Sequence, residues 1–116
     1  MAKILCTGVD KTLLQTRKLI LESAGHQVVT ATDEKTLIAA CQEESFDVAV
    51  IGQTTSPNIK LRIASLVRQY CPTVKILELY KFYSEKVLAD ADSSLPVPAD
   101  VPKDLVDRVN ELANTK

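Results

Sequence analysis

The sequence lacks the features of membrane proteins and of nucleic-acid-binding proteins. None of its apolar runs approaches the ~20 residues that a membrane-spanning helix needs. The net charge is −1 and no run of Lys or Arg occurs, so bulk electrostatics favours neither nucleic acid nor an anionic membrane as a partner. A length of 116 residues is typical of one domain, and we therefore predict a single domain over residues 1–116.

Cysteine and histidine are also scarce, which argues against a zinc site, a disulfide framework and a catalytic histidine. Cys6, Cys41 and Cys71 show neither a CxxC motif nor the Cys/His spacing of a zinc site, so they predict no metal site. We interpret all three as small buried hydrophobic residues in a reducing compartment, not as a disulfide framework. The only histidine, His26, has no Ser, Cys or acidic partner placed near it, and we expect it in a surface turn. Residues 1–5 are too short to be a signal peptide, so a cytoplasmic location is predicted.

What the chain does contain is a regular alternation of short apolar runs and helical patterns. The unbroken apolar run that follows Asp47 is typical of a strand buried on both faces of a parallel sheet. Five strands alternating with five helices predict an α/β fold with a doubly wound five-stranded parallel sheet. The predicted strands are Lys3–Thr7, Gln27–Ala31, Asp47–Ile51, Val74–Leu79 and Ser94–Val97. The predicted helices are Thr12–Ala24, Asp33–Glu44, Ile59–Tyr70, Ser84–Ala89 and Pro102–Ala113.

Functional pockets of doubly wound sheets lie outside the carboxyl ends of the strands. The single carboxylate expected there, that of Asp10, either caps the first predicted helix or coordinates a metal alone, and one carboxylate makes a poor metal site. The residues that follow the predicted strands are Gly8, Val9 and Asp10 after the first, Gly52 and Gln53 after the third, Tyr80 and Lys81 after the fourth, and Val97 and Pro98 after the fifth.

Four segments of the chain resemble the receiver domains of bacterial two-component response regulators, the CheY-like family. Lys3–Asp10 looks like the opening strand and acidic turn of that family, and Phe46–Gly52 looks like the strand that ends in the phosphoacceptor aspartate. Cys71–Leu79 is similar to the fourth strand with its lead-in, and Leu95–Pro98 to the stretch that carries a lysine–proline pair. The resemblance spans essentially the whole chain. It implies a flavodoxin/CheY-like sheet flanked by five helices and a role in phosphorelay signal transduction.

The side chains on which receiver chemistry depends are missing from these segments. Receivers transfer a phosphoryl group from phosphohistidine to an aspartate, with a divalent metal held by carboxylates. The resemblance puts the acidic pair on Gly8 and Val9 and the phosphoacceptor on Gly52, none of which has a side-chain oxygen. It therefore implies a pseudo-receiver with no catalytic residue, no metal and no cofactor. The degenerate pocket consists of Gly8, Val9, Asp10, Gly52, Tyr80 at the Thr or Ser position, Val97 at the lysine position, and Pro98.

Two further features of the sequence leave alternatives open. Glu78, a polar residue inside the predicted fourth strand, either nears the pocket or faces Lys75 or Lys81 at the strand end. Gly8 and Gly52 either make room for an anion at a helix N-terminus or are ordinary turn glycines.

Three of the five aromatic residues stand within four positions, which suggests a surface for a partner. This run is either a binding surface or a lid packed over the vacated pocket, and we favour the binding surface, formed by Tyr80, Phe82 and Tyr83. The resemblance implies a protein partner, which is a signalling kinase, an output protein or a second copy of the chain in a homodimer.

Two functions from different classes fit these observations. The first is a non-enzymatic signalling module that binds a protein partner independently of phosphorylation. No output domain follows the last predicted helix, so the output is binding to another protein or the chain is an excised domain. The alternative is a flavodoxin-like binder of a small ligand or nucleotide in the strand-end crevice, where Gln53–Ser56 supplies hydroxyl groups but not the glycines of a phosphate loop.

Overall fold

The alternating pattern folds into five strands and four helices within residues 2–81, 83–97 and 102–114, which are the residues that the computed structural model describes. All five predicted strands form, with bounds within two residues of the prediction. No helix of these residues combines the length and hydropathy that crossing a bilayer requires. The elements in chain order are β1 (Lys3–Thr7), α1 (Lys11–Ser23), β2 (Gln27–Ala31), α2 (Glu34–Glu43), β3 (Val48–Ile51), α3 (Pro57–Tyr70), β4 (Lys75–Lys81), β5 (Ser93–Val97) and α4 (Pro102–Asn114).

The strands form one parallel sheet in the order β2-β1-β3-β4-β5. Because β2 lies on one side of β1 and β3 on the other, the sheet is doubly wound, as predicted. Thr7 pairs with both Ala31 and Ile51, so β1, β2 and β3 end at the same level. β4 continues past this level and pairs with β5 as far as Lys81. The prediction that Tyr80 and Lys81 follow the fourth strand is therefore wrong, because pairing with β5 extends β4 through both residues.

Helices cover both faces of the sheet, as the apolar run of β3 predicts. On one face, strand residues such as Leu5 and Ala49 pack with α2 and α3. On the other face, the alternate strand residues such as Cys6 and Val50 pack with α1 and α4. Every residue of β3 is buried as a result.

Two of the helices begin at the capping aspartates that the sequence predicts. Asp10 accepts a hydrogen bond from the backbone N–H of Leu13 (3.1 Å) at the start of α1. Asp33 accepts one from the backbone N–H of Thr36 (2.8 Å) at the start of α2, and the hydrogen bonds from the Thr36 hydroxyl and N–H lower the pKa of Asp33. α3 differs, because the side chain of Ser56, which precedes it, makes no capping hydrogen bond.

The short helix predicted over Ser84–Ala89 does not form, so the described residues contain four helices and not five. The carboxylate of Glu78 in β4 accepts hydrogen bonds from the backbone N–H groups of Val87 (2.8 Å) and Leu88 (2.9 Å). A side chain that takes backbone donors competes with helical hydrogen bonds. Glu78 thereby holds this segment in an irregular path that packs Leu88 into the core beside α3.

Two of the cysteines form a disulfide, so the interpretation of all three as unpaired hydrophobic residues is wrong. Cys41 in α2 is bonded to Cys71, directly after α3, and their Cα atoms are 5.6 Å apart. The two meet because α2 and α3 lie side by side on one face of the sheet, which the sequence spacing does not reveal. The cysteine content therefore no longer supports a reducing compartment. Cys6 is free and buried, as expected, and its burial raises the pKa of the thiol to about 12.

His26 is buried and does not lie on the surface as predicted. Its Nδ1 accepts a hydrogen bond from the backbone N–H of Ala2 (3.0 Å), and its Nε2 donates one to Oδ1 of Asn110 in α4 (2.7 Å). The ring thus ties the residue before β1 to the last helix. The prediction failed because the sequence does not show that α4 packs against the turn after α1.

Candidate functional site at the strand ends

The structure brings the two glycines of the degenerate pocket together at the carboxyl ends of β1 and β3. The N–H of Gly52 donates to the carbonyl oxygen of Thr7 (3.1 Å), and the N–H of Gly8 donates to that of Ala31 (3.3 Å). These bonds continue the strand pairing by one residue, so Gly8 and Gly52 lie side by side. They mark the point where the strand order reverses, which is where ligands of doubly wound sheets bind.

A residue that the sequence analysis missed, Arg17 of α1, occupies this point. A Cβ atom on Gly52 would lie 3.1 Å from Nη1 of Arg17 and 3.2 Å from the carbonyl oxygen of Thr7. The Arg17 side chain is only 8% exposed, and its Nη2 donates a hydrogen bond to Oε1 of Gln53. The guanidinium therefore fills the space above Gly52, and a side chain at position 52 would have to displace it.

The charge of Arg17 is only partly compensated. Burial lowers the pKa of Arg17, while the nearby Cys6 thiol and the Asp10 carboxylate act in the opposite direction. A guanidinium stays protonated at all ordinary pH values. The pocket thus holds a fixed positive charge, and its hydrogen-bond partner Gln53 is neutral.

The spacing of α1 contains the signal that would have found this residue. Leu14, Arg17 and Leu21 are the buried residues of α1 and recur at helical spacing. A charged residue on an apolar stripe must either reach past the core or meet a partner inside it. α3 shows the same signal, because the buried Lys60 shares its stripe with Ile63.

Asp10 lies beside this pocket as the cap of α1, which confirms one of its two predicted roles. Within the described residues, no group of three or more His, Cys, Asp or Glu side chains is placed to hold a metal ion. Asp10 instead lies close enough to the guanidinium of Arg17 for the two charges to attract each other.

Val9 projects from the loop after β1 and is 52% exposed. It borders an apolar cleft of about 250 Å³ that continues between the first turns of α2 and α3, where Leu37 and Ile59 line it. An exposed ion pair crosses the rim of the cleft, with Nε of Arg62 2.7 Å from Oε1 of Glu34. Val9, Leu37 and Ile59 thus make this side of the crevice apolar.

Glu78 is fully buried and pairs with a lysine that the sequence analysis did not consider. Nζ of Lys60 lies 3.0 Å from Oε2 of Glu78 and donates a second hydrogen bond to the carbonyl oxygen of Leu79 (2.7 Å). Neither Lys75 nor Lys81, the two partners considered from the sequence, forms this pair. Glu78 is paired with Ile51 in the sheet, so the ion pair lies one strand away from Gly52.

The other predicted site residues are spread along the end of the sheet. Tyr80 is partly exposed in β4, and Val97 ends β5 and packs against the core that α1 and α4 cover. Tyr83 is 71% exposed, and Nζ of Lys81 lies 6.0 Å from the centroid of its ring. The remaining two, Phe82 and Pro98, lie outside the described residues.

Comparison with known proteins gives structural matches only. No protein-family model matches the sequence, and no curated protein is significantly similar to it. A response regulator from Thermotoga maritima superposes with a TM-score of 0.82 at 19% sequence identity, with 99% of each chain covered. A response regulator receiver domain protein from Clostridium thermocellum has a TM-score of 0.80 at 25% identity, covering 98% of this chain and 95% of that one. The chemotaxis protein CheY4 of Vibrio cholerae has a TM-score of 0.80 at 23% identity, covering 97% and 98%.

These matches extend over nearly the full length of both chains in each pair. At such low sequence identity they establish the fold and leave the activity to be argued from the site. The chain therefore has the fold of response regulator receiver domains, a CheY-like doubly wound parallel sheet.

Proposed function

We propose that this chain is a receiver-like signal transduction module that binds a protein partner without being phosphorylated. The observation that carries the proposal is the Arg17 guanidinium above Gly52, the position that the receiver resemblance assigns to the phosphoacceptor. Glycine has no side-chain oxygen to accept a phosphoryl group. The pocket also holds a fixed cation where a receiver gathers carboxylates around a divalent metal.

The surroundings of Gly52 also support a pocket that no longer serves phosphoryl transfer. Arg17 repels a second cation at close range, and Asp10 is already engaged at the start of α1. The positions of the receiver acidic pair, Gly8 and Val9, contribute no ligand. The pseudo-receiver interpretation of this pocket rests on these residues together.

The groups that most often act as nucleophile or base support a non-enzymatic role. The Cys6 thiol is buried with a pKa of about 12, so it is protonated and unreactive near neutral pH. Both ring nitrogens of His26 are engaged in structural hydrogen bonds. We also propose a cytoplasmic location. The redox state of Cys41 and Cys71 in the cell tests it, because the cytoplasm keeps most thiols reduced.

The proposed partner surface is the aromatic run Tyr80, Phe82 and Tyr83. The exposed Tyr83 ring beside Lys81 combines an aromatic centre with a charged rim, which is the composition of many protein interfaces. The proposed partners are a signalling kinase, an output protein or a second copy of the chain.

The proposal is tested by sedimentation velocity over a range of protein concentrations, measured once with acetyl phosphate and Mg²⁺ and once without them. We expect the same association constant under both conditions. We expect the double variant Phe82→Ala/Tyr83→Ala not to associate. Association that requires acetyl phosphate would contradict the proposal. A chain that stays monomeric at every concentration excludes the homodimer and leaves a different protein as the partner.

The alternative function, binding of a small ligand or nucleotide at the strand ends, is favoured by two cavities next to the pocket. One is the apolar cleft of about 250 Å³ beside Val9, and the other is a polar cavity of about 200 Å³ at the start of α3. A ligand that raises the melting temperature without changing the association state would favour this alternative.

A further inference from the structure

The apolar cleft of about 250 Å³ opens at the carboxyl end of the sheet, between the first turns of α2 and α3. Thr7 at the end of β1 and Ala31 at the end of β2 also line it. Two of its large apolar side chains, Val9 and Ile59, are exposed to 52% and 45%. Exposed apolar side chains beside an apolar cleft are typical of a surface that binds another molecule.

An exposed aromatic side chain, that of Tyr83, lies at the same end of the sheet. Tyr83 follows the end of β4 by two residues, and it is the most exposed of the large hydrophobic side chains in the described part of the chain. It does not line the cleft of its own chain. Tyrosine rings that insert into a pocket of a partner are among the strongest contacts in protein interfaces.

The size of the cleft suits one inserted side chain. Its volume is below that of pockets for drug-sized ligands. The ring of a tyrosine is apolar and its hydroxyl group is polar, so the ring can enter the cleft while the hydroxyl group stays at the polar rim.

The charged residues that line the cleft carry one excess negative charge. They are Asp33, Glu34 and Arg62, and the last two form the exposed ion pair. Asp33 remains as a carboxylate at neutral pH, because its pKa is lowered by hydrogen bonds from Thr36 and also by the charge of Lys35. A positively charged partner surface therefore fits this rim.

The surroundings of Tyr83 have the opposite charge. Nζ of Lys81 lies 6.0 Å from the centroid of the Tyr83 ring. Between positions 81 and 86 two lysines, Lys81 and Lys86, stand against one acidic residue, Glu85, which leaves one excess positive charge. All these side chains are exposed, so the charges orient the two surfaces more than they add to the affinity.

We propose that the cleft binds the Tyr83 side chain of a second copy of the chain, in a dimer in which each chain inserts its Tyr83 into the cleft of the other. The inference rests on the proposed protein-binding function and specifies its partner. Because both features lie at the carboxyl end of the sheet, one twofold axis makes both contacts and closes the assembly as a dimer. Two inserted side chains form a small interface, so the dimer is weak.

Sedimentation velocity on variants of α3 tests the cleft. Ile59→Lys should raise the dissociation constant at least tenfold, because it puts an ammonium into an apolar cleft that faces Lys81 of the other chain. The matched control is Leu61→Lys. Leu61 is also exposed on α3 but does not line the cleft, so this variant should associate like the wild type.

A mixing experiment tests the reciprocal insertion. Tyr83→Ala alone should associate as poorly as Ile59→Lys alone. An equimolar mixture of the two should associate more tightly than either, because the Ile59→Lys chain supplies Tyr83 and the Tyr83→Ala chain supplies an intact cleft. A mixture that associates no better than the separate variants would overturn the proposal.

Both substituted side chains are exposed, so the melting temperatures should stay within a few degrees of the wild type. Val9→Ser removes apolar surface from the loop side of the cleft without altering a helix, and it should weaken association as well. A wild type that is monomeric at every concentration would overturn the proposal and leave the cleft to a small apolar ligand or to a different protein. Equal weakening by Leu61→Lys and Ile59→Lys would also overturn it.

The failure of this inference can be told apart from the failure of the proposed function. Association that Phe82→Ala/Tyr83→Ala abolishes but Ile59→Lys leaves unchanged overturns the cleft as the docking site and supports the aromatic partner surface. Association that requires acetyl phosphate but is still lost in Ile59→Lys contradicts the proposed function and supports the cleft.

Discussion

Two buried cations near the carboxyl ends of the strands have opposite surroundings. Lys60 of α3 meets the carboxylate of Glu78, which also holds the segment between β4 and β5. Arg17 of α1 meets the neutral side chain of Gln53 and lies above Gly52. Both stand on the apolar stripe of a helix. The difference shows that Lys60 is paired within the fold by Glu78, whereas Arg17 is a buried cation without a carboxylate in its hydrogen bond. It supports our proposal that the Arg17 pocket does not carry receiver chemistry.

The largest effect is expected from breaking the Lys60–Glu78 pair. Glu78→Ala leaves the Lys60 ammonium buried without its counter-charge and leaves the N–H groups of Val87 and Leu88 unpaired. We expect the free energy of unfolding to fall by about 3–5 kcal/mol, measured by urea denaturation. Glu78→Gln keeps the shape of the side chain and one oxygen acceptor, so it should lower the free energy of unfolding by less than Glu78→Ala does.

The exposed ion pair between Glu34 and Arg62 is the control for that experiment. Glu34→Ala should leave the free energy of unfolding nearly unchanged, because solvent screens an exposed pair. If Glu78→Ala is no more destabilising than Glu34→Ala, the Lys60–Glu78 pair does not hold the fold together.

The second-largest effect on stability is expected from the disulfide. Reduction of Cys41–Cys71 should lower the free energy of unfolding by about 2–4 kcal/mol, because the unfolded chain gains the freedom of an open 30-residue loop. Urea denaturation with and without a reductant measures this. The variant Cys41→Ser should not respond to the reductant, and an equal response in both proteins would show that the reductant acts elsewhere.

Substitutions of the two pocket glycines should have smaller effects on stability, and they test whether Arg17 occupies the space above Gly52. Gly52→Ala should destabilise the protein by about 1–3 kcal/mol, because its Cβ would crowd both Arg17 and the carbonyl oxygen of Thr7. Gly8→Ala should change stability by less than about 0.5 kcal/mol, because its Cβ would approach only Leu14, at 3.7 Å. Thermal denaturation compares the two variants.

A double-mutant cycle assigns the effect of Gly52→Ala to its cause. In the Arg17→Ala background, the penalty of Gly52→Ala should shrink, because only the contact with the carbonyl oxygen of Thr7 remains. An unchanged penalty would mean that Arg17 does not occupy the space above Gly52.

The smallest effect is expected from magnesium. A ligand raises the melting temperature only by binding the folded state, and here Arg17 repels a cation while the Asp10 carboxylate is engaged as the cap of α1. Millimolar Mg²⁺ should therefore shift the melting temperature no more than sodium chloride of the same ionic strength. A rise of several degrees that is specific to Mg²⁺ would reveal a metal site at the strand ends.

Much of the fold could be predicted because it depends on local patterns. The apolar run of β3 indicates burial on two faces, and Asp10 and Asp33 stand where helices need caps. The helix predicted over Ser84–Ala89 failed for a non-local reason. Its backbone donors are taken by Glu78, a residue from another element, and no pattern within the segment shows this.

The site was less predictable, because it depends on side chains that reach between elements. The sequence predicts that Gly52 stands at the phosphoacceptor position, but the guanidinium above Gly52 comes from α1 and was not predicted. The pairing of Cys41 with Cys71 likewise needs the packing of α2 against α3. A charged residue on an apolar stripe, as at Arg17 and Lys60, is the one local signal that would have indicated both buried cations.

The most direct test of the central claim is the intact mass of the protein after incubation with acetyl phosphate and Mg²⁺. We expect no change in mass, because Gly52 offers no oxygen and Arg17 fills the space above it. A receiver domain with its aspartate, treated in parallel, is the positive control. A stable added phosphoryl group on an aspartate at the strand ends, such as Asp10, would contradict the account.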